Sequence, residues 1–414
     1  METPFNSDWF VKTWLKHFKN SAAPIKFEFI DGVQFFKKNK LPIYINIGKN
    51  LTKGFNYTIN PDKIKLGNRV LLIYDIPSYY NLPSTKQYKK LKIKNISQYN
   101  GYFTSLNKYQ HLDDFIEQNY SSSRRKMLRR RYNGLIKSFD IRTQMFFGDI
   151  TLDTYNDLFD KLYELLDKRF KEKQTEYHIL SKWDYIKELS YPMILNKELA
   201  LFVMYDEEEP IGIRLCFQHQ NRLIGAIPIY NTDFAKFGLG NILTFKLIEW
   251  CLQNNIEVFD SSKGDYGIKK QISDTVYSYD YHVLYNPKSL ISCSLALGLI
   301  YTFQLKQYLR NKNLHTFYHR IKYKLKGKST KKSNKTSNYQ IIEDVFDIKK
   351  EENITVIDYK ERRYSYLNKI ICDFLYASGE RKKDLRTYKK KDTNIYYLVG
   401  KFKQQKVMAI PYLD

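Results

Sequence analysis

Between residues 199 and 259 the spacing of apolar residues changes repeatedly, and this restricts the fold more than any other feature of the chain. Residues 199–205 form a continuous apolar run. Asp206-Glu207-Glu208-Glu209-Pro210 interrupts it as a turn, and 211–217 and 222–230 follow as strands. Three strands joined by short turns make a meander. A loop holding Gly238 and Gly240 leads into a helical pattern over about 240–253, then a strand at 256–259. Another loop, 260–267, precedes a last strand near 276–284. This order predicts an α+β fold with one βαβ step across 222–260.

The flanking sequence fits that class. Phe10, Trp14 and Phe18 recur every four residues in a helix over 7–19, which Ser7 or Asp8 can cap. Short apolar runs at 41–47 and 70–74 read as strands. A basic helix spans 122–138. Tyr155, Leu158, Phe159, Leu162, Leu165 and Leu166 form the stripe of another over 151–171. Residues 289 to about 326 read as helical, 329–338 as a Ser/Lys/Asn-rich linker, and 339–414 as a small module that could be separate.

Charge narrows the partners. Lys and Arg number 69 against 44 Asp and Glu, a net +25, which favours acidic ligands, nucleic acid or an anionic membrane face. The four cysteines, Cys216, Cys251, Cys293 and Cys372, form no C-x-x-C pair, so the plain reading is a reducing, cytoplasmic setting. The polar, acidic start, Met1-Glu2-Thr3-Pro4-Phe5-Asn6-Ser7-Asp8, is unlike a signal peptide. The histidine spacings give no expectation of a metal.

Two segments can carry chemistry. A loop ending at a helix N-terminus, as at Gly238 and Gly240, suits a phosphate, but a tight turn explains the same glycines. A dinucleotide fingerprint would need a third glycine where Leu243 stands. The segment 259–270 gathers Asp260, Asp265, Tyr266 and Lys269 behind a strand. Asp260 or Asp265 can serve as base, Tyr266 as acid and Lys269 as a phosphate contact; by composition alone a solvated loop with local Asx turns explains them better.

Three segments together resemble the GNAT-superfamily acyltransferases of the Fem-like, two-lobed type. They are similar in particular to bacterial acetyltransferase-like proteins associated with cellulose and other polysaccharide biosynthesis. The segments are Thr3-Pro4-Phe5-Asn6-Ser7-Asp8-Trp9 with Trp14 and Phe18; the basic run Ser123 to Arg130; and the stretch 230–269 with its Gly-Leu-Gly, Phe259-Asp260, Gly264-Asp265 and Lys269. The resemblance implies tandem GNAT-like lobes, a degenerate first lobe over 1–120 and an acyltransferase lobe over 121–288. A basic helical segment (289–328), a linker (329–338) and a C-terminal module (339–414) follow.

It also implies that Lys236, Phe237, Gly238, Leu239, Gly240 and Asn241 cradle the pyrophosphate of acetyl-CoA or another acyl-CoA. Asp260 and Asp265 would be candidate bases and Tyr266 the candidate acid. Arg124, Arg169 and Lys269 would contact an anionic acceptor. The expected acceptor is an amino sugar, saccharide or related cell-envelope precursor, free or lipid-linked. Ala235 stands where the family's loop usually begins with Gln or Arg, and Ile268 where an aromatic is usual. The alternatives are a Fem-type transferase using aminoacyl-tRNA and a non-catalytic GNAT-shaped binding protein. The uncharged run 289–305 followed by a basic stretch adds peripheral contact with an anionic membrane as a further expectation.

Overall fold

The computed structural model describes residues 3–38, 40–80, 88–173, 175–265, 267–312, 339–343 and 346–409. Helix α1 (Asp8–Lys19) opens the fold, with Ser7 as its N-cap, accepting from the Phe10 N–H. Strands β1 (Ile25–Phe27), β2 (Ile30–Lys37), β3 (Ile43–Asn46), β4 (Thr58–Ile59), β5 (Val70–Pro77) and β6 (Lys92–Ser105) follow. Next come α2 (Leu112–Asn119), α3 (Ser122–Ser138), β7 (Ile141–Phe146), α4 (Leu152–Glu172) and α5 (Trp183–Leu195). The central run is β8 (Leu199–Asp206), β9 (Glu209–His219), β10 (Arg222–Tyr230), α6 (Leu239–Gln253), β11 (Val258–Lys263), α7 (Gly267–Ile272) and β12 (Thr275–Tyr285).

One large mixed sheet takes all twelve strands in the order β1-β2-β3-β5-β12-β6-β11-β10-β9-β8-β7, with β4 pairing β2. The meander β8-β9-β10 is antiparallel, and β10 and β11 are parallel, as the βαβ pattern requires. The continuous apolar run of β8 has a simple cause. Its residues alternate between two cores, because helices cover both faces of the sheet. Leu199, Leu201, Val203 and Tyr205 join the core with α4 and α5; Ala200, Phe202 and Met204 join the core with α6.

The order of the sheet interlocks the two halves. Strand β12, late in the chain, lies between β5 and β6, and β6 lies between β12 and β11. This explains a difference from the sequence reading. Asp260 was expected to open a loop, yet β11 runs on to Lys263, because β6 offers an antiparallel partner as far as Gly101.

Helix α8 (Leu290–Asn311) packs Ser292, Ala296, Ile300 and Phe303 inward. Its outer face carries Leu290, Leu297, Tyr301, Leu305 and Tyr308, exposed by 88, 46, 67, 58 and 58%. The helix expected to reach about residue 326 ends at Asn311; the rest of that expectation, and the linker, lie outside the described residues. The chain closes with β13 (Tyr339–Ile342), β14 (Ile354–Ile357), α9 (Asn368–Ser378), β15 (Arg386–Lys390), β16 (Ile395–Val399) and β17 (Gln404–Ala409). These strands form a second, antiparallel sheet in the order β13-β17-β16-β15-β14. Leu367, Ile370, Phe374 and Leu375 share a core with Phe237, Leu239 and Phe139.

Candidate active site

Strands β10 and β11 run side by side only from Arg222/Val258 to Ile224/Asp260. Beyond that, each follows its other neighbour. The β10 register against β9 shifts between Gly225 and Ile227, and the β11 register against β6 shifts between Asp260 and Ser262. Ser262 takes φ 61° in that bulge. The result is a wedge whose β10 wall has backbone groups with no β11 partner. Gly225 and Ala226 are half-buried on a strand whose neighbours Leu223, Ile224 and Ile227 are buried.

Asp260 sits at the apex, fully enclosed. Tyr277 Oη donates to its two oxygens at 2.8 and 2.9 Å, Tyr79 Oη to Oδ2 at 3.4 Å, and the Ser262 N–H to Oδ1 at 2.7 Å. Arg222 Nη1 is 3.4 Å from Oδ2, with its guanidinium over the Tyr79 and Phe103 rings at 4.2 and 4.9 Å. Burial raises the Asp260 carboxyl above its ordinary range, and Arg222, the Ser262 N–H and Tyr277 oppose the rise. Tyr277 Oη also lies 2.9 Å from Tyr279 Oη, and Tyr279 donates to the Lys53 carbonyl at 2.7 Å.

Cations crowd the same place. Lys263 pairs with buried Asp75 at 2.6 Å, and Thr52 donates to the same carboxylate at 3.0 Å. Burial, with Lys263 and Lys269 nearby, lowers the Lys53 amine to about 7. Burial lowers Lys269 to about 8; its Nζ donates to the Ser262 and Lys263 carbonyls at 3.2 and 2.8 Å. His178 is lowered by burial and by Lys182, Lys53 and Lys263. Among the described residues no group of three or more His, Cys, Asp or Glu could hold a metal ion.

The expected residues divide between places. Asp260 and Lys269 belong to the wedge. Asp265 lies on the surface past the end of β11, bound by the Tyr102 hydroxyl and 3.9 Å from Lys270. Tyr266 lies outside the described residues. Arg124 stacks on the Tyr120 ring at 5.6 Å in the first turn of α3, and Arg169 lies over the Tyr230 ring at 4.6 Å. Gly238 is left-handed, φ 72°, at the turn into α6. Lys236 pairs with Asp373 of α9 at 3.3 Å, and Phe237 meets Tyr376 edge-on at 5.0 Å. Leu239 is buried, and the Asn241 N–H donates to the Gly238 carbonyl at 2.9 Å. A Cβ on Gly240 would lie 2.5 Å from the Tyr230 ring, so this glycine makes room for an aromatic.

Sequence reasoning missed Tyr79, Arg222, Tyr277, Tyr279, Lys53, Asp75 and Lys263. One signal was available: Tyr277, Tyr279 and Tyr281 alternate along β12, which puts three hydroxyl-bearing rings on one face of a strand.

Residues 122–270 match the family described as Acetyltransferase (GNAT) domain. The chain thus carries a GNAT-type acyltransferase domain in a mixed α+β fold, and the wedge lies inside it. No curated protein matches the sequence. Similar solved structures include FemX, 10% identical over 67% of this chain and 91% of that one, TM-score 0.46. The C-terminal domain of a putative lysylphosphatidylglycerol synthetase from Agrobacterium fabrum is 10% identical over 67 and 86%, TM-score 0.42. A tandem GNAT protein from the clavulanic acid biosynthesis pathway is 9% identical over 60 and 77%, TM-score 0.34.

Proposed function

We propose that the protein transfers an acyl group from acyl-CoA, with acetyl-CoA the simplest donor, to the amine or hydroxyl of an amino sugar, saccharide or related envelope precursor. The observation that carries this reading is the parting of β10 and β11 at Asp260 within the matched GNAT stretch. Unpaired backbone groups of β10 can hydrogen-bond the amides of a pantetheine arm. The turn at Lys236, Phe237 and Gly238, with Leu239, Gly240 and Asn241 opening α6, offers a helix N-terminus to its pyrophosphate.

The acceptor nitrogen or oxygen attacks the thioester carbon, the C–S bond breaks, and the acceptor's proton ends on the departing thiolate. Asp260 is enclosed and reaches the acceptor only through half-buried Tyr79, whose hydroxyl it holds. Lys269 supplies a second basic group within the wedge. An excess of cations supports acyl-CoA over an aminoacyl ester, whose α-ammonium those cations repel. The test is calorimetry with acetyl-CoA beside a gel shift with bulk tRNA. Binding of the thioester without a tRNA shift is expected; a tRNA shift with no affinity for any CoA ester would overturn the reading.

A second reading concerns location. We propose that α8 rests on an anionic membrane surface. Its outward apolar stripe lies beside Lys306, whose charge, with Lys38 and Lys19, depresses the half-buried Lys49 amine after burial itself. Eight Lys or Arg and no acid occupy residues 313–338. Among the described residues no helix is long and apolar enough to cross a membrane.

A further inference from the structure

Arg214 lies on β9 beneath α6 and is 9% exposed. Its Nη1 donates to Thr244 Oγ1 at 2.7 Å, and its guanidinium stands 5.4 Å from the centre of the Phe259 ring. Among the described residues no carboxylate forms an ion pair with it; the groups that act on its charge are the thiols of Cys216 and Cys251, which burial keeps protonated, and its charge in turn helps to lower Lys269. A guanidinium has five N–H donors and does not shed its proton, so burying one without an anion is costly. Asp260, whose carbonyl borders the same space, has its carboxylate already committed to Arg222.

Arg214 is also reachable. A Cβ placed on Gly225 would lie 3.8 Å from Arg214 Nη2 and 3.6 Å from the Asp260 carbonyl. Gly225 is the first β10 residue past the parting of the strands, and it is half-buried. The space left by its missing side chain therefore joins Nη2 to the wedge. An acyl group attached to a thioester in the wedge would extend into that space.

We propose that Arg214 is an anion-binding residue of the wedge, and that the acyl group transferred by this protein ends in a carboxylate. The assignment rests on the acyl-CoA reading. A carboxylate matches the planar fork of a guanidinium, and with it the buried charge gains the partner that the folded chain does not supply. The donor class is thus a dicarboxylic acyl thioester of short chain, with acetyl-CoA as the poorer analogue.

Calorimetry with succinyl-CoA and acetyl-CoA tests this. The native chain should bind succinyl-CoA about tenfold or more tightly than acetyl-CoA, the scale of a charge-assisted hydrogen bond. R214M should lose that preference and keep its affinity for acetyl-CoA, while R214K should retain part of the preference. G225A, whose Cβ makes only ordinary contacts, should lose the preference through space alone. Equal binding of both esters, together with an Arg214-dependent rise of the thermal midpoint by free succinate, would move the carboxylate to the acceptor and overturn the acyl-group assignment. Equal binding with no succinate effect would overturn the anion site. If no CoA ester binds, the acyl-CoA reading fails, and the succinate measurement on native protein and R214M still decides the anion site.

Discussion

At the scale of single residues, Asp260 and His282 separate function from stability. Asp260→Asn keeps the shape of the apex but removes the charge that gathers Tyr79, Tyr277 and Arg222. Turnover should fall by about 100-fold or more while CoA affinity changes little, the pattern of a lost proton acceptor; near-native turnover would leave Asp260 a structural anchor. His282 is buried against Tyr57, with Tyr57 Oη 2.9 Å from Nδ1, and burial lowers its imidazole to about 4. The unfolded chain, with an ordinary histidine near 6.5, binds the proton more readily between those values. Stability should therefore drop as pH falls from about 6.5 to about 4, by about 1.4 kcal/mol per unit at most. Denaturant titrations of native protein and His282→Gln across that window check it: the slope should shrink in the variant. Asp260 was legible as a charged residue at a strand end, but its burial was not. The partners that enclose it come from the turn after β5, from β10 and from β12, and no local spacing announces a contact between Tyr79 and Asp260.

At the scale of elements, legibility followed how much of a segment's surroundings its own sequence encodes. β10 and α3 were read with their observed bounds, since the apolar run of the one and the basic run of the other each change character at both ends. β6 was not singled out because it carries Lys, Asn and Ser at outward positions, a buried Gln98, and a glycine at Gly101, which makes room for the Tyr277 ring. In the loop before α6, Gly238 takes a left-handed φ of 72° and Gly240 makes room for the Tyr230 ring. Gly240→Ala drives a methyl into the Tyr230 ring and should cost about 1–3 kcal/mol; adding Tyr230→Ala should recover most of it, as measured by thermal midpoint. An unaffected single mutant would show that the ring and Arg169 above it yield easily. For α8, full-length protein should sediment with vesicles of anionic lipid and not with neutral ones. Replacing exposed Leu297, Tyr301 and Leu305 with Ser should abolish this without lowering the thermal midpoint. Equal sedimentation of native and variant chains would leave the stripe with another purpose.

At the scale of the whole molecule, the C-terminal sheet is joined to the GNAT domain by a shared core and by ion pairs, among them the following three. Lys236–Asp373 lies at 3.3 Å, Lys382–Asp206 at 2.7 Å and Lys360–Glu207 at 3.2 Å. The Lys382–Asp206 pair is largely buried, and burial raises the Asp206 carboxyl against the pull of Lys382. Calorimetry of the full chain should show one cooperative transition. Ending the chain at residue 338 should lower the midpoint by roughly 5 °C or more; an unchanged midpoint would mean that the two parts are energetically independent. The interlocked strand order bears on how the chain is made. On a ribosome, β5 and β6 emerge early but have no complete sheet to join, because β12 must come between them. Some 180 residues separate the end of β6 from the end of β12. At ordinary elongation rates this is a wait of roughly ten to forty seconds. During it the nascent chain presents open strand edges beside apolar surface. Synthesis speed and access to chaperones, rather than the stability of the finished sheet, would then set how much native protein a cell obtains.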